Sequence, residues 1–190
     1  MPLSESEAKV ILEKLHVPED NWINPKIGLR DSPLGGKGMF AKEIIPEGET
    51  VIVWGGTPHS LFTEEDVRQG RIRKSSVAAI DEGIYLAGAP DEPREITDYI
   101  NHSCDSNVWM QNAITLIVRR AIQPDQEVTV DYALFQSDEE WKASWECRCG
   151  SSNCRHTITG RDWRLPVVQE RYKGHFSPFL NKRIEKITKT

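Results

Sequence analysis

The sequence predicts a mostly β protein of the α+β class, because short strand-like runs outnumber helical runs along its 190 residues. Turns that contain glycine and proline separate these runs, and no long helices alternate with the strands, which argues against a doubly wound parallel sheet. No internal repeat or low-complexity segment interrupts the pattern. A chain of this length suffices for one domain with a substantial core and is marginal for two.

Helical signals lie mainly towards the two ends of the chain. Ser4, followed by Glu7, forms a capping box ahead of an apolar periodic run, so we expect a helix over residues 4–16. Further helices are expected over residues 63–70, over 138–145, and as two short helices within 166–190 that are separated near Gly174.

Strand signals fill the middle of the chain. Runs of apolar and β-branched residues predict strands at 39–41, 50–54, 113–120 and 127–130, and one or two strands within 78–87. The turns between them contain Gly35-Gly36, Pro46-Glu47-Gly48 and Gln123-Pro124-Asp125.

Composition and charge limit the possible partners. The net charge of −5 disfavours nucleic-acid binding through the whole surface and suits a basic peptide. No apolar stretch approaches the roughly 20 residues of a membrane span, and the polar, acidic segment 1–10 is unlike a signal peptide. We therefore expect an intracellular protein, cytoplasmic or nuclear, that binds neither nucleic acid directly nor membranes. The sequence leaves the oligomeric state open, and a monomer is favoured.

The four cysteines predict a metal site. Cys147, Cys149 and Cys154 form a Cys-x-Cys-x-x-x-x-Cys cluster, and Cys104 stands alone. Four thiolates complete a tetrahedral zinc site, and cysteines in a reducing compartment hold metal more often than they form disulfides. His156 is the alternative fourth ligand, but Cys104 is favoured because every cysteine is then used.

Three further motifs are ambiguous when each is taken alone. The glycine loop 35–38 lacks the residues of a phosphate loop and fits an ordinary turn between strands. The segment 101–104 places His102 near Cys104, as a cysteine nucleophile and its base would be. We reject that interpretation, and a buried polar turn fits the segment instead. Asp131-Tyr132 follows a strand, where a tyrosine usually belongs to the core.

Five motifs follow one another along residues 27–163. They are Gly36-Lys37-Gly38, Trp54-Gly55-Gly56, Tyr99-Ile100-Asn101-His102-Ser103-Cys104 with Asn107, Glu127-Val128-Thr129-Val130-Asp131-Tyr132, and the segment from Cys147 to Arg155. Taken in this order, they resemble those of SET-domain protein-lysine methyltransferases.

The resemblance implies small curved β-sheets with a knot-like core, formed where the segments that end at Cys104 and Tyr132 cross. It also implies an N-terminal helix and lead-in at 1–25, a SET domain at 26–136, a post-SET zinc module at 137–164 and a helical tail at 165–190.

The resemblance implies two bound groups and a set of residues for each. Tyr132 is the implied catalytic residue, which orients the lysine amine. The cosubstrate S-adenosylmethionine (SAM) is expected at Gly36, Lys37, Gly38, Met39, Asn101, His102, Tyr132 and Arg148. By the same resemblance, Asn101 and His102 would hold its ammonium and adenine ends. The substrate lysine channel is expected at Tyr85, Val130, Tyr132 and Trp163. A structural Zn²⁺ is expected at Cys104, Cys147, Cys149 and Cys154.

The resemblance makes methylation of lysine side chains in a histone or another basic protein segment the expected activity. Two positions depart from the family pattern. Val130 stands where the family usually has Phe or Tyr, so we expect room for di- or trimethylation, and Asp98 replaces a common Arg. The segment 57–79 is short, which implies a small footprint on the substrate. The alternatives are a catalytically silent SET-like peptide-binding module and a zinc-ribbon nucleic-acid module, which the net charge disfavours.

Overall fold

The computed structural model describes residues 3–73 and 77–189, so predictions that include residues 1–2, 74–76 or 190 extend outside the described residues there. Eleven strands are found in the described residues. They are β1 (Trp22–Ile23), β2 (Ile27–Asp31), β3 (Lys37–Ala41), β4 (Thr50–Val53), β5 (Leu61–Thr63), β6 (Val77–Asp81), β7 (Ile84–Ala87), β8 (Asn101–His102), β9 (Val108–Met110), β10 (Thr115–Val118) and β11 (Glu127–Val130).

Four α-helices accompany these strands in the described part of the chain. They are α1 (Glu5–Leu15), α2 (Glu64–Arg68), α3 (Pro166–Arg171) and α4 (Pro178–Thr188). Capping boxes explain where the first two begin, because Ser4 and Thr63 accept hydrogen bonds from the backbone N–H groups of Glu7 and Asp66. The sequence predicted the capping box at Ser4, and at Thr63 it predicted only an N-terminal cap. None of these helices is long and apolar enough to cross a membrane.

The helix predicted over 138–145 is wrong. Lys142 forms an antiparallel bridge with Thr159, and the backbone N–H of Ala143 donates to the carbonyl of Ile158 at 2.9 Å. The backbone N–H of Gly160 donates to the carbonyl of Trp141 at 3.0 Å. Because partners from 158–160 occupy this backbone, long-range pairing overrides the local preference for a helix.

The strands form two sheets, as expected for a mostly β fold. The larger has eight strands in the order β1-β4-β10-β9-β11-β3-β2, with β8 paired to β11 outside this path, and the smaller has the order β5-β7-β6. The strands predicted at 113–120 and 127–130 are confirmed as β10 and β11, but β9, which was not predicted, lies between them.

Strand β11 brings the motif-bearing segments together. It runs parallel to β8, with Thr129 opposite Asn101 and Val130 opposite His102, and antiparallel to β3, with Glu127 opposite Phe40. Three motif-bearing segments therefore meet in the middle of the larger sheet. They are β3, which contains Gly38, the segment that ends at Cys104 and the segment that ends at Tyr132.

The C-terminal tail packs against the sheets. Its buried residues belong to the same apolar cluster as the strands, so the tail extends the main core. They are Val168, Tyr172, Phe176, Phe179 and Leu180.

Candidate active-site cleft and cysteine cluster

A cleft of about 930 Å³ lies where the glycine loop before β3, the start of β8 and the smaller sheet meet. Its aromatic wall includes Trp54, Tyr99, Tyr132, Trp141 and Trp145. Acidic side chains outnumber basic ones around it. The acidic residues are Glu19, Asp20, Glu92, Glu95, Asp98 and Asp138, and the basic residues are Lys37, Arg68, Arg73 and Arg94.

Asn101 lines the cleft, with a fixed side-chain orientation. Its Nδ2 donates to the Lys37 carbonyl at 3.1 Å and to Glu127 Oε1 at 2.7 Å. Both partners can only accept, so both amide hydrogens are used, and Oδ1 has no hydrogen-bond partner among the described residues.

Tyr132 contributes a hydroxyl group to the same cleft. The hydroxyl donates to the Ile100 carbonyl at 3.1 Å, and the ring lies 5.1 Å from the His102 ring and 6.5 Å from the Trp145 ring. Burial raises the pKa of Tyr132 to about 12. The hydroxyl therefore stays protonated near neutral pH, and its remaining lone pair can accept a hydrogen bond.

His102 connects Tyr132 to the cysteine cluster. Its Nδ1 accepts the backbone N–H of Tyr132 at 3.2 Å, so the proton of the neutral ring is on Nε2, which faces Cys104 Sγ at 3.3 Å. Burial lowers the pKa of His102 to about 4, so the ring is neutral at physiological pH.

The four cysteines meet in one cluster. Their Sγ atoms all lie within 4.8 Å of one another, and Cys104 and Cys147 are 3.9 Å apart. A tetrahedron with zinc–sulfur bonds of about 2.3 Å has edges of about 3.8 Å, so the donor set fits structural zinc. His156 is an exposed residue outside this group.

Burial of Cys104 also favours a bound metal ion. It raises the pKa of the Cys104 thiol to about 12, so a thiolate there requires a compensating cation. A bound Zn²⁺ would supply that charge, which agrees with the fit of the four sulfur atoms.

A buried ion network, which the sequence did not predict, links the cluster to the residue before Tyr132. The backbone N–H of Arg155 lies 3.3 Å from Cys104 Sγ, and its guanidinium donates to both oxygens of Asp131 at 2.7 Å. Its Nε donates to Asp162 Oδ2 at 2.7 Å. The only sequence signal for Arg155 was its position directly after Cys154, because burial of these charges depends on the tertiary fold.

Seven of the predicted site residues lie at the cleft or directly beside it. Gly36, Lys37, Asn101 and Tyr132 line the cleft, while Gly38, Met39 and His102 are buried directly beside these residues in β3 and β8.

The other predicted residues do not line the cleft. Val130 is buried in β11, and Tyr85 is buried with its hydroxyl 3.5 Å from Ser137 Oγ. Trp163 is buried beside a second cavity, close to Arg164 and Arg183. Arg148 points into solvent, with its side chain 83% exposed.

Sequence comparisons define the class of protein to which this fold and cluster belong. A family model described as the SET domain matches residues 36–133, more than half of the chain. The chain therefore belongs to the SET domain family.

Similar curated proteins carry related names. Over 73% of the chain, the sequence is 34% identical to histone-lysine N-methyltransferase ash1 of Drosophila melanogaster, of which 7% is covered. Over 70% of the chain, it is 29% identical to histone-lysine N-methyltransferase TRX1 of Oryza sativa subsp. japonica, of which 14% is covered. The chain thus spans a small part of these relatives.

A solved structure supports the fold. The crystal structure of Arabidopsis thaliana SUVH6 in complex with SAM matches with a TM-score of 0.59 and 18% identity. The match covers 71% of this chain and 33% of that protein.

Proposed function

We propose that this protein is a SAM-dependent protein-lysine methyltransferase that acts on a histone or another basic protein segment. The observation that carries the proposal is the meeting of Lys37, Asn101 and Tyr132 in one cleft, beside a cluster that fits zinc. The names of the relatives, which are histone-lysine methyltransferases, support the same activity.

The chemistry requires a neutral lysine amine. SAM, when bound, supplies an electrophilic methyl group on a cationic sulfur. A free lysine has a pKa of about 10.4, so removing its proton near pH 7.4 costs about 4 kcal/mol. An aromatic cleft next to a cation lowers this pKa by desolvation and like charge, so no strong general base is needed. The aromatic wall of Tyr132, Trp141 and Trp145 is suited to excluding water.

In this proposal, Tyr132 positions the amine. Its proton is used in the hydrogen bond to the Ile100 carbonyl, so the hydroxyl oxygen can accept an N–H from the substrate lysine. With a pKa of about 12, the hydroxyl would act as a positioning group and not as a base.

The proposed cofactor residues are those at and beside the cleft. We assign SAM to Gly36, Lys37, Gly38, Met39, Asn101, His102 and Tyr132, and structural zinc to Cys104, Cys147, Cys149 and Cys154. The other expected site residues would act from outside the cleft; they are Arg148 for SAM and Tyr85, Val130 and Trp163 for the lysine channel. We retain the division at 1–25, 26–136, 137–164 and 165–190 as the proposed organisation.

Charge supports a basic substrate segment. Six acidic and four basic side chains line the cleft, and the whole chain carries a net charge of −5. A lysine-rich segment would therefore be attracted to this face. A histone substrate would place the reaction in the nucleus.

The first experiment measures SAM binding by calorimetry and then methyl transfer from labelled SAM to histones. We expect binding by the wild type and by Tyr132→Phe, with methyl transfer lost in the variant. Tyr172→Phe is the control for loss of a buried tyrosine hydroxyl outside the cleft: that hydroxyl contacts Ser106 and the Cys104 carbonyl, so this variant reports the effect of losing a structural contact beside the cysteine cluster. A silent SET-like binding module would instead hold a basic peptide without methylating it, and wild-type protein that binds SAM but modifies no protein would favour that alternative.

A further inference from the structure

We propose that Glu127 is a positioning residue that orients Asn101 towards the α-ammonium group of SAM. The inference rests on the proposed function, because it concerns the amino-acid end of the same cosubstrate. Glu127 is half-buried at the start of β11 and does not line the cleft, so it acts through Asn101.

The contacts of Asn101 determine the direction of its amide group. Glu127 Oε1 takes one amide hydrogen at 2.7 Å, and the Lys37 carbonyl takes the other at 3.1 Å. Since neither acceptor can donate, a flipped amide would bring oxygen against oxygen at both contacts. Oδ1 is thus kept as an acceptor, which is the group that an ammonium ion requires.

Glu127 is itself held by Ser32. Ser32 Oγ lies 2.8 Å from each of its carboxylate oxygens, and the Ser32 backbone belongs to the glycine turn, where its N–H donates to the Gly36 carbonyl at 2.8 Å. One carboxylate therefore connects the glycine turn, β11 and Asn101, so its removal would loosen Asn101 while leaving the sheet intact.

Gly38 supplies the space for this carboxylate. A Cβ atom at Gly38 would overlap Glu127 Oε1 and would lie 2.9 Å from Asn101 Nδ2. Gly38 is not among the glycines with positive φ, so the requirement for glycine here arises from close approach and not from backbone conformation. Gly38 and Glu127 therefore act together, because the missing side chain of one leaves the space that the carboxylate of the other needs beside Asn101.

The test compares two ligands by calorimetry: S-adenosylhomocysteine and its analogue that lacks only the α-amino group. We expect the wild type to prefer the first, and Glu127→Ala to lose about tenfold in affinity for it, as for loss of a charge-assisted hydrogen bond. Affinity for the deaminated analogue should change less than twofold. Glu127→Gln should restore the preference, because its amide oxygen can still accept from Asn101.

The matched control is Glu49→Ala. Glu49 is also partly buried and accepts a hydrogen bond from an asparagine, Asn24, at 2.7 Å, but it lies away from the cleft. This variant should bind both ligands like the wild type. Gly38→Ala should weaken S-adenosylhomocysteine binding in the wild type and do so less in the Glu127→Ala background, where the overlapping carboxylate is gone.

The outcomes separate this inference from the proposed function. Equal losses for both ligands in Glu127→Ala, or unchanged affinity for S-adenosylhomocysteine, would overturn the positioning role alone. Failure of the wild type to bind S-adenosylhomocysteine at all would count against the proposed function, and with it against any role of Glu127 in cofactor binding.

Discussion

Replacing Arg155 with Met removes a cation that joins three parts of the fold. The arginine donates to both oxygens of Asp131 and to Asp162, all at 2.7 Å. The side chains of Arg155, Asp131 and Asp162 are only 11%, 0% and 7% exposed. The variant would therefore leave two buried carboxylates without their shared counter-charge.

The expected loss of stability is large. Removing one partner of a buried ion pair costs about 3–5 kcal/mol, because the remaining charge stays buried without compensation. The total free energy of unfolding of a domain is only about 5–15 kcal/mol. At about 2–4 °C per kcal/mol for a chain of this size, the melting temperature should fall by about 6–20 °C.

Urea unfolding without SAM and at a fixed zinc concentration measures this effect. Arg148→Met is the control on the same segment, because that side chain is 83% exposed and lies 3.4 Å from Glu146, so its removal should cost about 0–1 kcal/mol. The double variant Arg155→Met/Asp131→Asn should recover part of the loss, and Arg155→Lys should be intermediate. Equal losses for the two arginine positions, or no coupling between Arg155 and Asp131, would refute the account of the network.

The remaining predictions concern metal, pH and product. Cys104→Ser should lower zinc content, stability and SAM affinity together, by elemental analysis and calorimetry, and a variant that loses zinc but methylates normally would show that the cluster and cleft are uncoupled. Hydrogen bonds from Lys26 and Asn24 hold the pKa of Glu49 below the ordinary value of a glutamate, so the stabilisation is present above that ordinary value and is lost as pH falls through the lowered pKa. Glu49→Gln should therefore lose less stability than the wild type on acidification, and identical urea-unfolding profiles would contradict this. Val130 is buried in β11, two residues before Tyr132, and is smaller than the Phe or Tyr usual at this position. If this leaves more room beside Tyr132, mass spectrometry of a modified peptide should find di- or trimethyl-lysine, and strict monomethylation would contradict that prediction.

Local signals explain what the sequence predicted well. The caps at Ser4 and Thr63 and the spacing of Cys147, Cys149 and Cys154 depend on residues close together in the chain. The helix over 138–145 failed because Lys142 pairs with Thr159.

Other features depended on contacts between distant segments. Three of them follow from tertiary packing: the pairing of Asp131 with Arg155, the close approach of Glu127 to Gly38, and the position of Trp163 beside a second cavity. The motif order predicted which segments would meet, while the contacts that hold them were visible only in the folded chain.

Localisation of the transferred methyl group tests the central claim most directly. Histones incubated with the protein and SAM carrying a heavy methyl group should gain label on lysine side chains, as read by tandem mass spectrometry, and the label should be absent with Tyr132→Phe. Wild-type protein that binds SAM yet leaves every histone lysine unlabelled, or equal labelling by the wild type and Tyr132→Phe, would contradict the account.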